Sequence, residues 1–278
     1  MNELITIAVD AMGGDNAPHK IIDGIELHHK KSKNIFYKIF GDQNIIDPII
    51  NKKSIDKNIL EIVHTDEKIK GEDSAFTAAK RGKKTSMWLA VESVKNKSSD
   101  IIISAGNTGA LLVIAKLNLK MIENIDKPAL SGLWPSKKGM SVVLDLGANI
   151  ECSDKNLIDF AIMGSSLFNS LFPEDKAKVA LLNIGSEELK GNEVIKETYQ
   201  KLNQIVNEDF EFKGFIEGSH LMDGDINVIV ADGFTGNVAL KTAEGTANFI
   251  TNELKLAMKS SLFGKLGALI STNSLKKF

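Results

Sequence analysis

Short, almost purely apolar runs punctuate the chain at Ile5 to Val9, Phe36 to Phe40, Ile59 to Val63, Ile101 to Ile103, Val142 to Leu144, Val179 to Leu182 and Val228 to Val230. Helix-patterned segments separate many of them, and that alternation predicts βαβ units. The runs DIIIS, SVVLDLG, VALLNIG and NVIVADG lack the in-out alternation of a half-exposed strand. They read as parallel strands covered by helices on both faces. The expected class is α/β, a three-layer α/β/α arrangement with a mostly parallel sheet. No linker rich in Pro, Gly or Ser divides the chain, so one continuous body over 1–257 is expected, followed by a helical segment over 258–278. In that last segment Leu262, Phe263, Leu266, Leu269 and Ile270 fall at helical spacing, with Lys259, Lys265, Lys276 and Lys277 around them. An amphipathic helix is predicted there, packed on the body or on a second subunit, or laid on an anionic membrane surface.

In open parallel sheets, ligands collect at the carboxyl ends of the strands. The segments that follow five of the runs share one composition. They are Asp10 to Asn16 with Gly13, Gly14 and Asp15; Ser104 to Ala110 with Gly106, Asn107, Thr108 and Gly109; Asp145 to Asn149; Ser186 to Gly191 with Lys190; and Asp232 to Asn237 with Gly236. Glycine lets a backbone approach a ligand closely, and helix N-termini favour anions. Gly, Asn and Asp also favour turns and caps, so any single loop is explained by conformation alone. Five together indicate a polar, anion-compatible site without naming a reaction.

Composition narrows the field further. The 278 residues carry 34 basic and 36 acidic side chains, with a pI near 6.2, so no global positive field recruits nucleic acid. The single Cys152 excludes an internal disulfide framework, and no Cys/His cluster suggests a metal. The first residues run straight into ITIAVDAM, and no stretch reaches the roughly 20 apolar residues of a membrane span. A reducing cytoplasmic setting is expected. Nucleotide and nucleophile signatures are missing: Gly106 to Gly109 completes neither a dinucleotide fingerprint nor a phosphate-loop ending, and no Gly-x-Ser-x-Gly elbow occurs. His19, His28, His29, His64 and His220 lack zincin spacing. Neither a cofactor nor a covalent intermediate is signalled.

Six ordered segments carry a resemblance. VDAMGGDNAP (Val9 to Pro18), SAGNTGAL (Ser104 to Leu111), VVLDLGAN (Val142 to Asn149), FAIMGS (Phe160 to Ser165), LLNIGSEELKG (Leu181 to Gly191) and ADGFTGNVALKTAEG (Ala231 to Gly245) resemble the PlsX family of phosphate acyltransferases. The resemblance spans the chain and implies formation of acyl phosphate from acyl carrier protein thioester and inorganic phosphate, for phospholipid synthesis. It implies a homodimer with a fold like that of isocitrate and isopropylmalate dehydrogenases and phosphotransacetylases. A membrane glycerol-3-phosphate acyltransferase would take the product, which fits a cytoplasmic enzyme peripherally associated with the membrane. Much phosphate is already dianionic near neutral pH, so the absence of a protein base fits this chemistry. The protein must supply positioning and oxyanion donors.

Within that reading, Gly106, Asn107 and Thr108 are expected to contact phosphate or the thioester oxygen. Asn149 and Asn237 would polarise the carbonyl, and Lys190 would neutralise phosphate charge. Asp145 and Asp232 would orient donors or cap loops, while Gly13, Gly14, Asp15, Asn16, Gly109 and Gly236 would line the substrate. Lys80, Arg81, Lys83 and Lys84 form a dense basic patch suited to an acidic carrier protein. The family pattern has proline and arginine near Ala75 and Lys80, and lysine there lacks the bidentate fork. The pattern also continues past the position of Phe278, which leaves a truncated, inactive scaffold of the lipid-synthesis machinery as an alternative reading. An acyl-CoA enzyme resembling phosphotransacetylase is the other reading left open.

Overall fold

A computed structural model of the chain describes residues 4–32, 34–205 and 208–272. Lys276 and Lys277 lie outside the described residues. The chain divides into two compact units, Met1–Pro128 and Ala129–Phe278.

The first unit runs β1 (Ile5–Asp10), α1 (His19–His29), β2 (Ile35–Gly41), α2 (Gln43–Ile50), β3 (Leu60–His64), α3 (Ala75–Arg81), α4 (Ser86–Lys95), β4 (Ile101–Ser104) and α5 (Thr108–Leu119). Its strands lie in the order β3-β2-β1-β4, all pairs parallel. Alternate residues of each strand feed opposite layers. Ile7, Val9, Tyr37 and Ile39 meet Ile22 and Ile25 of α1 and Ile46 and Ile49 of α2, whereas Ala8 and Phe40 meet Ala90 of α4. Both faces are therefore apolar, which is why β1 reads as a continuous apolar run. Side-chain caps set the helix starts: Asp42 accepts from Asn44 N at 2.9 Å for α2, and Asn107 accepts from Ala110 N at 3.0 Å for α5.

The second unit runs β5 (Gly132–Ser136), β6 (Gly139–Leu144), α6 (Asp154–Leu171), β7 (Ala177–Asn183), α7 (Glu193–Gln204), β8 (Phe210–Glu217), β9 (Val228–Val230), α8 (Gly233–Lys259) and α9 (Leu262–Ile270). The sheet order is β5-β6-β9-β7-β8, with β5 antiparallel to β6 and the other pairs parallel. One face packs Val142, Leu144, Val179, Leu181, Val228 and Val230 against Leu157, Phe160 and Phe168 of α6 and Ile195 and Leu202 of α7. The other packs Val143, Ala180, Ile229 and Ala231 under Ala239, Leu240 and Ala243 of α8. A reciprocal box starts α6, in which Ser153 Oγ accepts from Asn156 N and Asn156 Oδ1 accepts from Ser153 N.

The expected α/β class with mostly parallel strands is what the chain adopts, built as two sheets. Two strands fall outside the apolar runs read from the sequence. β5 contains Pro135, which lacks a ladder donor and is tolerated at a sheet edge. β8, FEFKGFIE, forms the opposite edge and alternates between buried and exposed positions. Edge position alone does not hide a strand, since β3 and β4 are the edges of the first sheet and carry apolar runs; Gly132 and Pro135 in β5, and Glu211 and Lys213 in β8, interrupt the apolar signal. In the C-terminal helices, Phe263, Leu266, Leu269 and Ile270 of α9 are all exposed, as are Phe249, Ile250, Leu254 and Leu256 of α8.

Candidate functional site

At the carboxyl ends of the first unit's strands, Asp10 closes β1 and is 1% exposed. Its Oδ1 accepts from Ser86 Oγ at 2.6 Å and from Met12 N at 3.3 Å, and its Oδ2 accepts from Ser104 Oγ at 2.6 Å. Each partner belongs to a different wall. Ser104 Oγ accepts in turn from Gly106 N at 3.1 Å, shaping the loop after β4. Ser86 N donates to Glu67 O at 3.1 Å, tying in the loop after β3. Asp10 thus joins three strand-end loops and has no oxygen left as an unshared base.

The loops after β1 and β4 meet backbone to backbone. Gly14 adopts φ +91°, and a Cβ there would lie 2.5 Å from Ala105 O; a Cβ at Gly13 would lie 2.5 Å from Asp10 Oδ2 and 2.9 Å from Gly106 N. Only glycine fits this approach. Asn107 is committed in three directions: besides capping α5, its Nδ2 donates to Gly71 O at 3.0 Å and to Asp73 O at 2.9 Å. It clamps the β3 loop onto the start of α5. These loops enclose a cavity of about 540 Å³ lined by Met12, Gly14, Asp15, Lys68, Ile69, Lys70, Gly71, Glu72, Ala105, Gly106 and Asn107. Thr108 and Asn16 are exposed beside it in sequence, and Gly109 lies in the first turn of α5, where a Cβ would be 3.3 Å from Ala75 Cβ. Lys83 and Lys84 are exposed in the short connection before α4, and neither has an ion-pair partner among the described residues; the Lys84 carbonyl accepts from Thr65 Oγ1 at 2.6 Å.

The second unit has its own loop cluster. Asp145, 0% exposed, follows β6 and is wrapped by donors: Oδ1 accepts from Leu130 N, Gly147 N and Ala148 N at 2.9, 3.1 and 2.9 Å, and Oδ2 accepts from Asn149 N and Asn149 Nδ2 at 2.7 and 2.8 Å. The first turn of α8 seats on that loop. Gly233 N donates to Asn149 O at 2.8 Å, and a Cβ at Gly236 would lie 1.9 Å from Asp145 O. Asp232 caps α8, accepting from Thr235 N at 2.8 Å and Thr235 Oγ1 at 2.7 Å. Asn237 is exposed on the same turn, close to Gly147. Lys190 is exposed after β7; its N donates to Glu187 O at 2.9 Å and its carbonyl accepts from Asn183 Nδ2 at 3.2 Å. A second cavity of about 350 Å³ opens here, lined by Ile150, Cys152, Leu157, Asn192, Val194, Ile195, Asp232, Phe234 and Thr235 among others.

The structure therefore gathers Gly13, Gly14, Asp15, Gly106 and Asn107 in one unit and Asp145, Asn149, Asp232, Gly236 and Asn237 in the other. Sequence reasoning passed over Asp10, Ser86 and Ser104 as a unit, and over Lys68 and Lys70. An acidic residue closing a buried strand was the available signal for Asp10. Among the described residues no group of three or more His, Cys, Asp or Glu side chains is placed to hold a metal, and no helix is long and apolar enough to cross a membrane.

Two open α/β units with glycine- and asparagine-rich loops at their strand ends match known folds. A phosphotransacetylase from Staphylococcus aureus superposes with a TM-score of 0.62 at 15% identity, covering 88% of this chain and 82% of that one. A phosphotransacetylase from Streptococcus pyogenes gives 0.62 at 16%, covering 87% and 82%. At that identity the likeness establishes the fold alone. Sequence comparison goes further. A family model described as "Fatty acid synthesis protein" matches residues 5–278. The phosphate acyltransferase of Pelagibacter ubique is 70% identical over 278 residues, 100% of this chain and 83% of that protein. That of Rhodospirillum rubrum is 42% identical over 277 residues, 100% of this chain and 79% of its own length. The chain belongs to the phosphate acyltransferase family of fatty acid synthesis proteins and is a transferase.

Proposed function

We propose that this chain transfers a fatty acyl group from an acyl carrier protein thioester to inorganic phosphate, supplying acyl phosphate for phospholipid synthesis. The observation that carries the reading is identity of 70% with a phosphate acyltransferase over 278 residues, the entire chain. The chemistry agrees with the side chains. A phosphate oxygen attacks the carbonyl carbon, the C–O bond forms, the C–S bond breaks, and the proton of hydrogen phosphate ends on the carrier thiol. No protein nucleophile or base is needed, and Asp10 and Asp145 are spent on holding loops. In this reading Gly13, Gly14, Asp15, Asn16, Gly106, Thr108 and Gly109 line the substrates in the first unit. Asn149, Asn237 and Gly236 polarise or border the thioester, and Lys190 balances phosphate charge. Asn107 and Asp232 act mainly as caps and loop clamps.

Lys83 and Lys84 are assigned to docking the acidic carrier. The exposed apolar side chains of α8 and α9 are assigned to a second subunit and to the membrane surface, where a membrane glycerol-3-phosphate acyltransferase would receive the labile product.

Incubation of the chain with palmitoyl-acyl carrier protein and phosphate should yield acyl phosphate and an equal amount of free carrier thiol. Absence of product from well-folded protein overturns the enzymatic reading in favour of a scaffold. Faster turnover of palmitoyl-CoA than of the carried thioester overturns the carrier assignment. Replacing Lys83 and Lys84 by glutamate should raise KM for the carrier and leave KM for phosphate alone.

A further inference from the structure

We infer that Lys68 and Lys70, on the loop after β3, bind a phosphate group in the cavity of the first unit, with Asn107 as the residue that positions their loop. The inference deepens the proposed function and rests on its phosphate chemistry.

The loop is built to present this pair. Ile69 between them is 8% exposed and packs with Ala78, Met87 and Ala110, so the two flanking lysines leave the core while their shared neighbour anchors it. Both lysines line the cavity of about 540 Å³ beside Gly14, Gly106 and Asn107. Neither ammonium has a carboxylate within ion-pair distance among the described residues, whereas Lys38, Lys53, Lys137, Lys155 and Lys201 each do. Two unpaired ammonium groups at one cavity supply point charges for a dianion, and glycine backbone allows it close approach. Asp15 and Glu72 also line the cavity and, like the two lysines, are exposed, so water screens attraction and repulsion alike and the close backbone approach at the glycines must add to the charge.

The loop carrying the lysines is fastened at both ends. Upstream, Thr65 Oγ1 donates to Lys84 O at 2.6 Å and accepts from Glu67 N at 3.2 Å. Glu67 O accepts from Ser86 N, whose hydroxyl reaches Asp10. Downstream, Asn107 Nδ2 holds the carbonyls of Gly71 and Asp73. The clamp therefore sets where Lys68 and Lys70 stand relative to Gly106, and Asn107 acts through them.

Two sources offer this chemistry: free inorganic phosphate, and the phosphodiester of the carrier's pantetheine arm. Calorimetric titration of inorganic phosphate and of 4′-phosphopantetheine esterified to a serine peptide, which carries the diester of the arm, into the wild-type chain and into the double variant Lys68→Met, Lys70→Met separates them. At least one probe should bind the double variant about 10-fold more weakly, the scale of a lost charge-assisted hydrogen bond, while Lys68→Arg, Lys70→Arg keeps most of the affinity. A loss for phosphate alone assigns free phosphate, and a loss for phosphopantetheine alone assigns the arm. Equal binding of both probes to wild type and double variant, or binding of neither to wild type, overturns the inference. Should the Met variant lose its circular dichroism, Lys68→Gln, Lys70→Gln repeats the measurement.

Asn107→Ser retains a capping hydroxyl for α5 but cannot clamp Gly71 and Asp73. It should weaken the same probe, and adding it to the double lysine variant should cost little more; full additivity would make Asn107 an independent contact. Lysine-dependent binding by a chain that forms no acyl phosphate refutes the proposed reaction alone. Normal turnover with methionine at both positions and unchanged probe binding refutes this inference alone.

Discussion

Asp10 in the first unit and Asp145 in the second are each buried at the carboxyl end of an interior strand, and they solve the problem of a buried carboxylate differently. Asp10 takes two hydroxyl groups from residues 76 and 94 positions away, plus one amide of its own turn. Asp145 takes four amides and one side-chain NH, four of the five from within its next four residues. The first arrangement ties separate walls of a cavity together. The second fixes the shape of a single loop, on which the start of α8 then rests. A hydroxyl can rotate to another acceptor when its carboxylate is lost, but a backbone amide cannot. The second loop should therefore be the more brittle and the first the more adjustable.

The largest effect expected is at Gly236. Its added methyl group would sit on the carbonyl of Asp145, so Gly236→Ala should cost on the order of 4 kcal/mol or prevent folding of the second unit, read by chemical denaturation. Next, Asp145→Ala should cost about 3 to 5 kcal/mol by stranding buried amides, against about 2 kcal/mol for Asp10→Ala. Equal costs would break the comparison. Ser104→Ala should remove only about 1 kcal/mol of stability yet lower turnover by more than that loss explains, because it frees Gly106 at the cavity. Matching losses would make the network purely structural.

The smallest effect concerns the Asp154–Lys201 pair, which links the start of α6 to the last turn of α7. The hydrogen bond from Lys201 holds the Asp154 carboxyl below its ordinary value. A depressed folded-state value stabilises above the unfolded value and is lost as pH falls through the folded one. Lys201→Met should thus lower the Tm slightly at neutral pH, with the difference vanishing below the usual carboxylate range. The Lys201 end of the pair is open to water while Asp154 is half-buried, so salt should shrink the difference in part.

Much of this was legible beforehand. Seven apolar runs mark seven strands; the interior parallel strands β1, β2, β6, β7 and β9 are covered on both faces and need no alternation, and β3 and β4 keep mostly apolar runs even at an edge. The loops after them carry their own signature, since glycine approach and Asn or Asp capping are local demands. β5 and β8 were hidden because Gly132 and Pro135 break up the one and Glu211 and Lys213 the other, whereas the edge strands β3 and β4 carry mostly apolar runs. Lys68 and Lys70 were hidden because two lysines in a polar loop look like any solvated stretch until Ile69 is seen in the core.

By itself the sequence determined the α/β class, the positions of the interior strands and the family, all of which rest on local periodicity and ordered motifs. Only the tertiary structure decided that Asp10 binds Ser86 and Ser104, that Asn107 is a clamp, and that the β3 loop joins the β1 and β4 loops around one cavity. The reason is physical: strand order β3-β2-β1-β4 brings together loops far apart in the chain. No local propensity encodes which hydroxyl will meet which carboxylate.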